Sequence, residues 1–153
     1  MEILSASRIT ALHLPRPATE VARAGIRFEN KVLSALQLNM DKNIYLERNP
    51  WFGYVTSDGE GKICCPDILI WHPRTDGWIT VVEVKQTWVP AAFPKLQEIY
   101  CPVVEKALKI RTCPLIIVRH LTPDSPKPSS SIIAALKTPT PLIQWLGRGP
   151  INL

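Results

Sequence analysis

The sequence predicts one α/β domain in which helices flank a mixed central sheet. Three observations support this prediction: a helical repeat near the N-terminus, two closely spaced apolar runs typical of buried strands, and a second helical repeat before a last apolar run. The predicted order is helix, three strands, helix and strand, over a core of about residues 19–120 within a single domain, 1–153. A chain of 153 residues is long enough to bury such a core.

The first helix is predicted to follow Thr19, which can cap its N-terminus, and to end near Asn39. Its apolar positions recur at steps of three or four residues: Val21, Gly25, Phe28, Val32 and Leu36. Before this helix, Pro15 and Pro17 end a segment for which the pattern predicts an irregular conformation.

Three strands are predicted between the two helices. Residues 43–62 indicate an exposed strand and a turn-rich connection. Residues 62–72 and 78–86 follow as two apolar strands. Because only the short segment "PRTDG" separates these two strands, we expect an antiparallel hairpin that turns near Gly77.

The second helix is predicted over about residues 93–110, with Pro94 in its first turn. Pro102 falls inside this helix and should kink it, at a cost of roughly 3 kcal/mol unless tertiary packing compensates. An apolar strand over residues 113–121 comes next. Beyond a linker rich in proline and serine, a short C-terminal appendage at about residues 130–147 is predicted to be helical.

Three charged residues lie within the two apolar strands. Side chains alternate along a strand, so Glu83 and Lys85 continue the same face as the apolar Val81. If the hairpin turns near Gly77, Asp67 on the preceding strand lies across from this segment. Isolated ionised groups in such a place would cost several kcal/mol each, so they must be paired or must bind something.

The first helix directs a further carboxylate, that of Glu29, toward the protein interior. The residues three and four positions from it are all apolar: Gly25, Ile26, Val32 and Leu33. The opposite, solvated face carries Arg23, Arg27 and Lys31. Glu29, Asp67 and Glu83 would therefore converge with Lys85 as three carboxylates and one amine. The simpler alternative is a structural ion pair beside a carboxylate at a strand end.

Such a group of charges indicates metal-assisted chemistry. Clustered carboxylates repel one another unless a cation lies among them, and hard oxygen ligands suit Mg²⁺ or Mn²⁺ better than zinc. A cation of this kind can polarise a phosphate oxygen and activate a water, while a neighbouring lysine stabilises the charge that develops on phosphorus. We therefore expect hydrolysis of a phosphodiester. The net charge of +5 and the pI near 9.2 fit a nucleic-acid substrate.

The composition gives little support to other classes of function. The four cysteines form no CxxC pair, which disfavours a zinc site or a disulfide framework. No apolar run approaches the roughly 20 residues that span a bilayer, and the N-terminus lacks the pattern of a secretory signal. We expect a protein of the cytoplasm without membrane association, in the cytoplasm of the host cell if the source is viral.

The motifs resemble those of the PD-(D/E)XK nuclease superfamily, whose fold is called restriction-endonuclease-like. The match consists of the "PD" that ends in Asp67 and the "EVK" from Glu83 to Lys85, preceded by the helical "AGIRFE" that ends in Glu29. The predicted order of elements also resembles the αβββαβ core of that superfamily. The resemblance implies Asp67 and Glu83 as metal ligands with the Val84 carbonyl, Lys85 as the catalytic lysine, and Glu29 as a ligand of a second cation or of its water.

The helix after the "EVK" motif adds a further resemblance. The stretch "KLQEIY" carries Gln97 and Tyr100, and RecB-type and lambda-exonuclease-like members carry a related Gln and Tyr, at a QxxxY rather than a QxxY spacing. Both residues are candidate substrate contacts. The "GIRFE" stretch and the small size also resemble archaeal-type Holliday junction resolvases, which are homodimers.

The predicted function is that of a Mg²⁺- or Mn²⁺-dependent deoxyribonuclease. DNA is the expected partner, and specificity would come from DNA structure, from a second subunit or from a partner protein. Two alternatives are a junction resolvase of the same fold and a non-catalytic nucleic-acid-binding or assembly module. The sequence does not choose between DNA and RNA or between endo- and exonucleolytic action. A compact nuclease of this kind would suit a phage or a mobile element.

Overall fold

The computed structural model describes residues 2–12, 17–39, 44–72, 77–120, 122–125 and 142–145. These residues form an α/β fold with one five-stranded and one three-stranded sheet. In chain order the elements are β1 (Ile3–Arg8), α1 (Glu20–Asn39), β2 (Tyr45–Arg48), β3 (Phe52–Thr56), β4 (Gly61–Cys64), β5 (Ile68–His72), β6 (Trp78–Thr87), α2 (Ala92–Lys95), a π-helical turn (Leu96–Tyr100), α3 (Cys101–Leu108), β7 (Arg111–His120) and β8 (Leu142–Trp145).

The five-stranded sheet is mixed, as the sequence predicts. Its strand order is β2-β5-β6-β7-β8, in which β2 and β6 run antiparallel to β5 whereas β7 runs parallel to β6. The predicted antiparallel hairpin is confirmed, because β5 and β6 pair from Ile68 with Val82 to His72 with Trp78. Gly77 precedes β6 with a φ of 62°, a left-handed conformation that glycine adopts without steric penalty.

Both faces of the five-stranded sheet are covered. On one face, α1 packs Phe28, Val32 and Leu36 against Ile68 and Val82. The opposite face belongs to a second core that joins the sheet to β3, the π-helical turn and α3, and that includes Leu69, Ile79, Val81, Phe52, Leu96 and Val103. Burial on both faces explains why β5 and β6 appear in the sequence as nearly continuous apolar runs.

Helix α1 is fixed at its N-terminus and along β6. The Ala22 N–H donates to Thr19 Oγ1 at 3.1 Å, which confirms the predicted N-cap. The helix continues to Asn39, its predicted last residue and the last described residue before residue 44. Gln86 donates from Nε2 to the Ala24 carbonyl at 2.7 Å and so ties the helix to the C-terminal end of β6.

The second predicted helix is interrupted by one wider turn. Leu96–Tyr100 is π-helical, and at its end the Cys101 N–H donates to the Leu96 carbonyl. Pro102, which has no N–H to donate, follows at the start of α3. The expected distortion at this proline therefore takes the form of a π-helical turn, a recognised way to admit an irregularity without ending the helix.

Two predictions for the N-terminal half of the chain are wrong. Ile3–Arg8, predicted to be irregular, forms β1 and pairs antiparallel with β3. Residues 44–62 contain β2, β3 and the start of β4 instead of one exposed strand, and Phe52 and Tyr54 are buried. In β1 only Ile3 is buried, so this strand lacks the alternation of apolar and polar residues by which a sequence reveals a strand.

The single strand predicted over residues 62–72 is divided into two. Its first part, β4, belongs to the three-stranded sheet, and its second part, β5, belongs to the five-stranded sheet. The break falls at Cys65, Pro66 and Asp67. Since a proline cannot donate a ladder hydrogen bond, Pro66 favours a break here, and Asp67 comes to lie just before the first residue of β5.

The prediction of a helical C-terminal appendage is wrong for Leu142–Trp145. These residues form β8, which runs parallel to β7 and pairs Leu142 with Leu115. Strand β8 covers the edge of β7, which would otherwise present a row of unpaired backbone N–H and C=O groups. The other residues of the predicted appendage, 130–141 and 146–147, lie outside the described residues.

Candidate active site

Asp67 is held at the open end of β5 by backbone hydrogen bonds. The Val84 N–H lies beyond the first pair of the β5–β6 ladder, and it donates to Asp67 Oδ2 at 2.7 Å. The Asp67 main chain hydrogen-bonds the Glu83 carboxylate, and its carbonyl accepts the Asn49 N–H at 2.9 Å. The Asp67 side chain thus accepts a β6 hydrogen bond that a backbone carbonyl would accept if β5 were longer, and it is fixed against β6.

Glu83 and Lys85 lie on one face of β6 and form an ion pair. Glu83 is 5% exposed, and Lys85 Nζ lies 3.4 Å from Glu83 Oε2. The Lys85 side chain is itself about one third exposed, so the amine lies at the boundary between the protein and the solvent. Val84, whose carbonyl is a candidate metal ligand, lies between these two residues and uses its N–H to bind Asp67.

The charge of the buried Glu83 disfavours ionisation of the partly buried Asp67. Burial raises the pKa of Asp67 to about 8, the Glu83 charge adds to this effect, and the Val84 hydrogen bond and Lys85 oppose it. Burial also raises the pKa of Glu83, whereas Lys85 lowers it. One amine does not compensate the charges of both carboxylates, so Asp67 retains a proton that a bound divalent cation would displace.

Glu29 reaches the same group of charges from α1. Burial raises its pKa, and its charge in turn acts on Asp67. Arg48 Nε lies 3.5 Å from Glu29 Oε1, and Asn49 also hydrogen-bonds this carboxylate. The structure therefore brings Glu29 close to Asp67 and pairs it with the end of β2. Neither Arg48 nor Asn49 had a signal in the sequence, because their segment lacks a motif.

Gln97 and Tyr100, the two further predicted residues, both lie in the π-helical turn but differ in exposure. Tyr100 is buried beside the carboxylates. Burial raises the pKa of its hydroxyl, and the charges of Glu83 and Asp67 raise it further. Gln97 is exposed, and no described hydrogen bond or ion pair joins it to Asp67 or Glu83. Lys95, which the sequence motifs do not single out, lies with Nζ 4.9 Å from the Tyr100 ring centroid, and its charge acts on Glu83.

The carboxylates are neighbours without forming a closed set of ligands. Among the residues that the structure describes, no group of three or more His, Cys, Asp or Glu side chains is arranged to hold a metal ion. Two cavities of about 580 and about 530 Å³ lie away from this group, the first over the three-stranded sheet and the second beside the start of α1. Glu29, Asp67 and Glu83, called the carboxylate cluster below, are thus largely withdrawn from solvent at one end of the sheet, and Lys85 beside them is about one third exposed.

No protein-family model, no curated protein and no solved structure matches the chain. Within the described ranges, no helix is both long enough and apolar enough to cross a membrane. The function is consequently inferred from the geometry and charge of Asp67, Glu83 and Lys85 together with their neighbours.

Proposed function

We propose that the chain is a divalent-cation-dependent nuclease that hydrolyses DNA phosphodiester bonds at Asp67, Glu83 and Lys85. One observation carries the proposal. Glu83, buried on β6, and Asp67, partly buried just before β5, lie together with one amine at 3.4 Å from Glu83, and burial raises the pKa of both carboxyl groups. Replacing such charges with well-packed apolar residues is often neutral or stabilising, so stability alone gives little reason to keep them.

The order of the elements supports a restriction-endonuclease-like core as part of the proposal. The order α1, then β2, β5 and β6, then the helices from α2 to α3, then β7 corresponds to αβββαβ. In the sheet β5 runs antiparallel to both β2 and β6, and β7 joins β6 in parallel. The β3–β4 hairpin would then be an insertion between the first and second core strands.

The residues present fit a hard divalent cation. Magnesium is commonly held by one or two carboxylates, with waters and a substrate phosphate completing its shell, so a closed set of three protein ligands is not required. Asp67 and Glu83 would hold the cation, and the Val84 carbonyl and Glu29 are further candidate ligands. When bound, the cation supplies Lewis acidity toward a phosphoryl oxygen.

Each residue of the group has a distinct task in this proposal. Asp67 is oriented by the Val84 N–H, which leaves its second carboxylate oxygen for ligation. Lys85 lies beside Glu83 and places its amine where negative charge develops on the phosphoryl group. Tyr100 walls the site on the side of the π-helical turn, and Gln97 is an exposed candidate for contact with the substrate.

A second function, that of a nucleic-acid-binding module without cleavage, has one observation in its favour. The carboxylates already have structural partners, since Glu29 pairs with Arg48 and Asp67 caps the Val84 N–H. In that case the charged group would fix the junction between α1, β2 and β6. The net charge of +5 would serve binding alone.

Cleavage assays distinguish the two functions. Purified protein is incubated with supercoiled plasmid, linear duplex or a four-way junction, in Mg²⁺, Mn²⁺ or EDTA. Lys85→Ala tests the site, and Lys106→Ala makes the same change on the exposed face of α3. The nuclease proposal expects metal-dependent cleavage that Lys106→Ala retains and Lys85→Ala loses.

The preferred substrate would separate junction resolution, which calls for a homodimer, from end resection. Binding of DNA without cleavage of any substrate would favour the non-catalytic module. Cleavage that is equal in Lys85→Ala and in the wild type would refute the proposed site.

A further inference from the structure

A cavity of about 530 Å³ opens where α1 begins and where β6 and β7 end. Among the residues that the structure describes, its lining comes from these three elements: Val21, Ala24, Gln86, Arg119 and His120. None of these lining residues is acidic, and Arg119 contributes a permanent positive charge. The chemistry of the lining therefore suits an anion with an apolar portion.

The cationic wall of the cavity is held in place by packing. Arg119 Cζ lies 5.8 Å from the Phe28 ring centroid, a cation–π contact that orients the guanidinium against α1. The Gln86 side chain is fixed by its hydrogen bond to the Ala24 carbonyl. Val21, at the rim, is 81% exposed, which leaves an apolar surface beside the positive charge.

The cavity and the carboxylate cluster of Glu29, Asp67 and Glu83 lie at the same end of the five-stranded sheet. Gln86 directly follows Lys85 in β6, and Lys85 pairs with Val118, the residue before Arg119. Because side chains alternate along a strand, Lys85 and Gln86 point to opposite faces. A polymer that crosses this end of the sheet would contact Glu83 and Lys85 on one face and the cavity on the other.

We infer that this cavity is a second contact site for the nucleic acid and binds a phosphate of its backbone on the face of the sheet opposite to Glu83 and Lys85. The inference rests on the proposed function. Arg119 donates to the phosphate oxygens, and the apolar rim at Val21 and Ala24 faces the adjoining sugar. The contact reads no base, so it contributes affinity and register rather than sequence preference.

Binding of labelled oligonucleotides in EDTA tests the inference without cleavage. Arg119→Gln is compared with Arg111→Gln, the same change of charge at the opposite end of β7. We expect Arg119→Gln to weaken binding by roughly tenfold and to lower the slope of log affinity against log salt by about one. Arg111→Gln should leave affinity within about twofold of the wild type. Inorganic phosphate, added as a competitor, distinguishes a strand site from a site for a free anion.

Val21→Glu provides a second test, because Arg119 also packs on Phe28 and its loss could disturb the fold. A glutamate in the first turn of α1 is compatible with the helix and adds a repulsive charge at the mouth of the cavity. Leu38→Glu is its control, at a position 85% exposed near the other end of α1. We expect only Val21→Glu to weaken oligonucleotide binding, by roughly threefold or more.

The outcomes separate this inference from the proposed function. If the wild type binds nucleic acid but Arg119→Gln and Val21→Glu both behave as their controls do, the cavity inference is overturned and the nuclease proposal stands. Wild-type protein that binds no nucleic acid in EDTA would overturn the cavity inference, whereas the nuclease proposal is decided by the cleavage assays in Mg²⁺ and Mn²⁺. Inorganic phosphate that saturates the cavity without displacing the oligonucleotide would show a site for a free anion only and would also overturn the inference.

Discussion

Replacing Asp67 with Asn should stabilise the metal-free protein at neutral and alkaline pH. The pKa of this carboxyl rises from 3.8 to about 8 on folding, mainly through burial and then through Glu83. The folded state therefore retains a proton that the unfolded state releases between these two values. The stability linked to this proton is fully present below about pH 4 and is lost as the pH rises toward about pH 8.

The size of the effect follows from the shift in pKa. About four units at about 1.4 kcal/mol per unit give about 6 kcal/mol as an upper bound. The realised value is smaller because Asp67 and Glu83 titrate together and share the penalty. Asparagine does not titrate, and its side-chain oxygen can still accept the Val84 N–H. As the pH rises from about 4 to about 8, the free energy of unfolding of Asp67→Asn should increase relative to that of the wild type by roughly 1–6 kcal/mol in total.

Urea unfolding followed by circular dichroism, in EDTA at a series of pH values, measures this difference. Asp58→Asn is the control, because Asp58 is exposed and its hydrogen bond with Thr56 lowers its pKa, so the sign is opposite. That variant should lose stability at neutral pH and match the wild type in acid. A stability difference between Asp67→Asn and the wild type that is the same at every pH would refute the assignment of a buried, repelled carboxylate.

Three further predictions concern single side chains. Lys85→Met keeps the aliphatic stem of the lysine and should lower the single-turnover cleavage rate by roughly 100-fold or more while near-native circular dichroism is retained; an unchanged rate would remove Lys85 from the mechanism. Asn49 has a φ of 47°, so Asn49→Ala should be about 1 kcal/mol less stable than Asn49→Gly in urea unfolding. Equal stabilities of the two variants would mean that residue 49 does not need a left-handed backbone conformation after β2. Thr80→Val removes the hydroxyl that lies 2.9 Å from the buried His72 Nε2 and should lower the free energy of unfolding by about 1–3 kcal/mol. Thr80→Ser should lose less, and no difference between these two variants would contradict the value assigned to this hydrogen bond.

The central part of the fold could be predicted from the sequence because its apolar residues are continuous. Strands β5 and β6 are buried on both faces, and α1 shows its buried stripe at helical spacing. Strand β1 could not be predicted, because it is held by backbone pairing with β3 and buries only Ile3. Strand β8 was equally hidden, since its formation depends on the open edge of β7 and not on a local pattern.

Part of the candidate site could be predicted because its charged residues stand out within apolar runs. Asp67, Glu83 and Lys85 stand out because each interrupts an apolar run, and alternation assigns Glu83 and Lys85 to one face. The partners of Glu29 could not be found in this way, because Arg48 and Asn49 approach it from β2 through tertiary structure. The role of Asp67 as a cap for Val84 required the break between β4 and β5, which Pro66 alone did not reveal.

Titration of the metal-free protein with Mn²⁺ tests most directly whether Asp67 and Glu83 together hold a divalent cation. Calorimetry at neutral pH should show one specific site in the wild type and in Asp58→Asn. The double variant Asp67→Asn, Glu83→Gln, which keeps the shape of both side chains without their charge, should show no such site. Mn²⁺ binding that survives in the double variant, or that is absent from the wild type, would contradict the proposed metal site and with it the assignment of a nuclease.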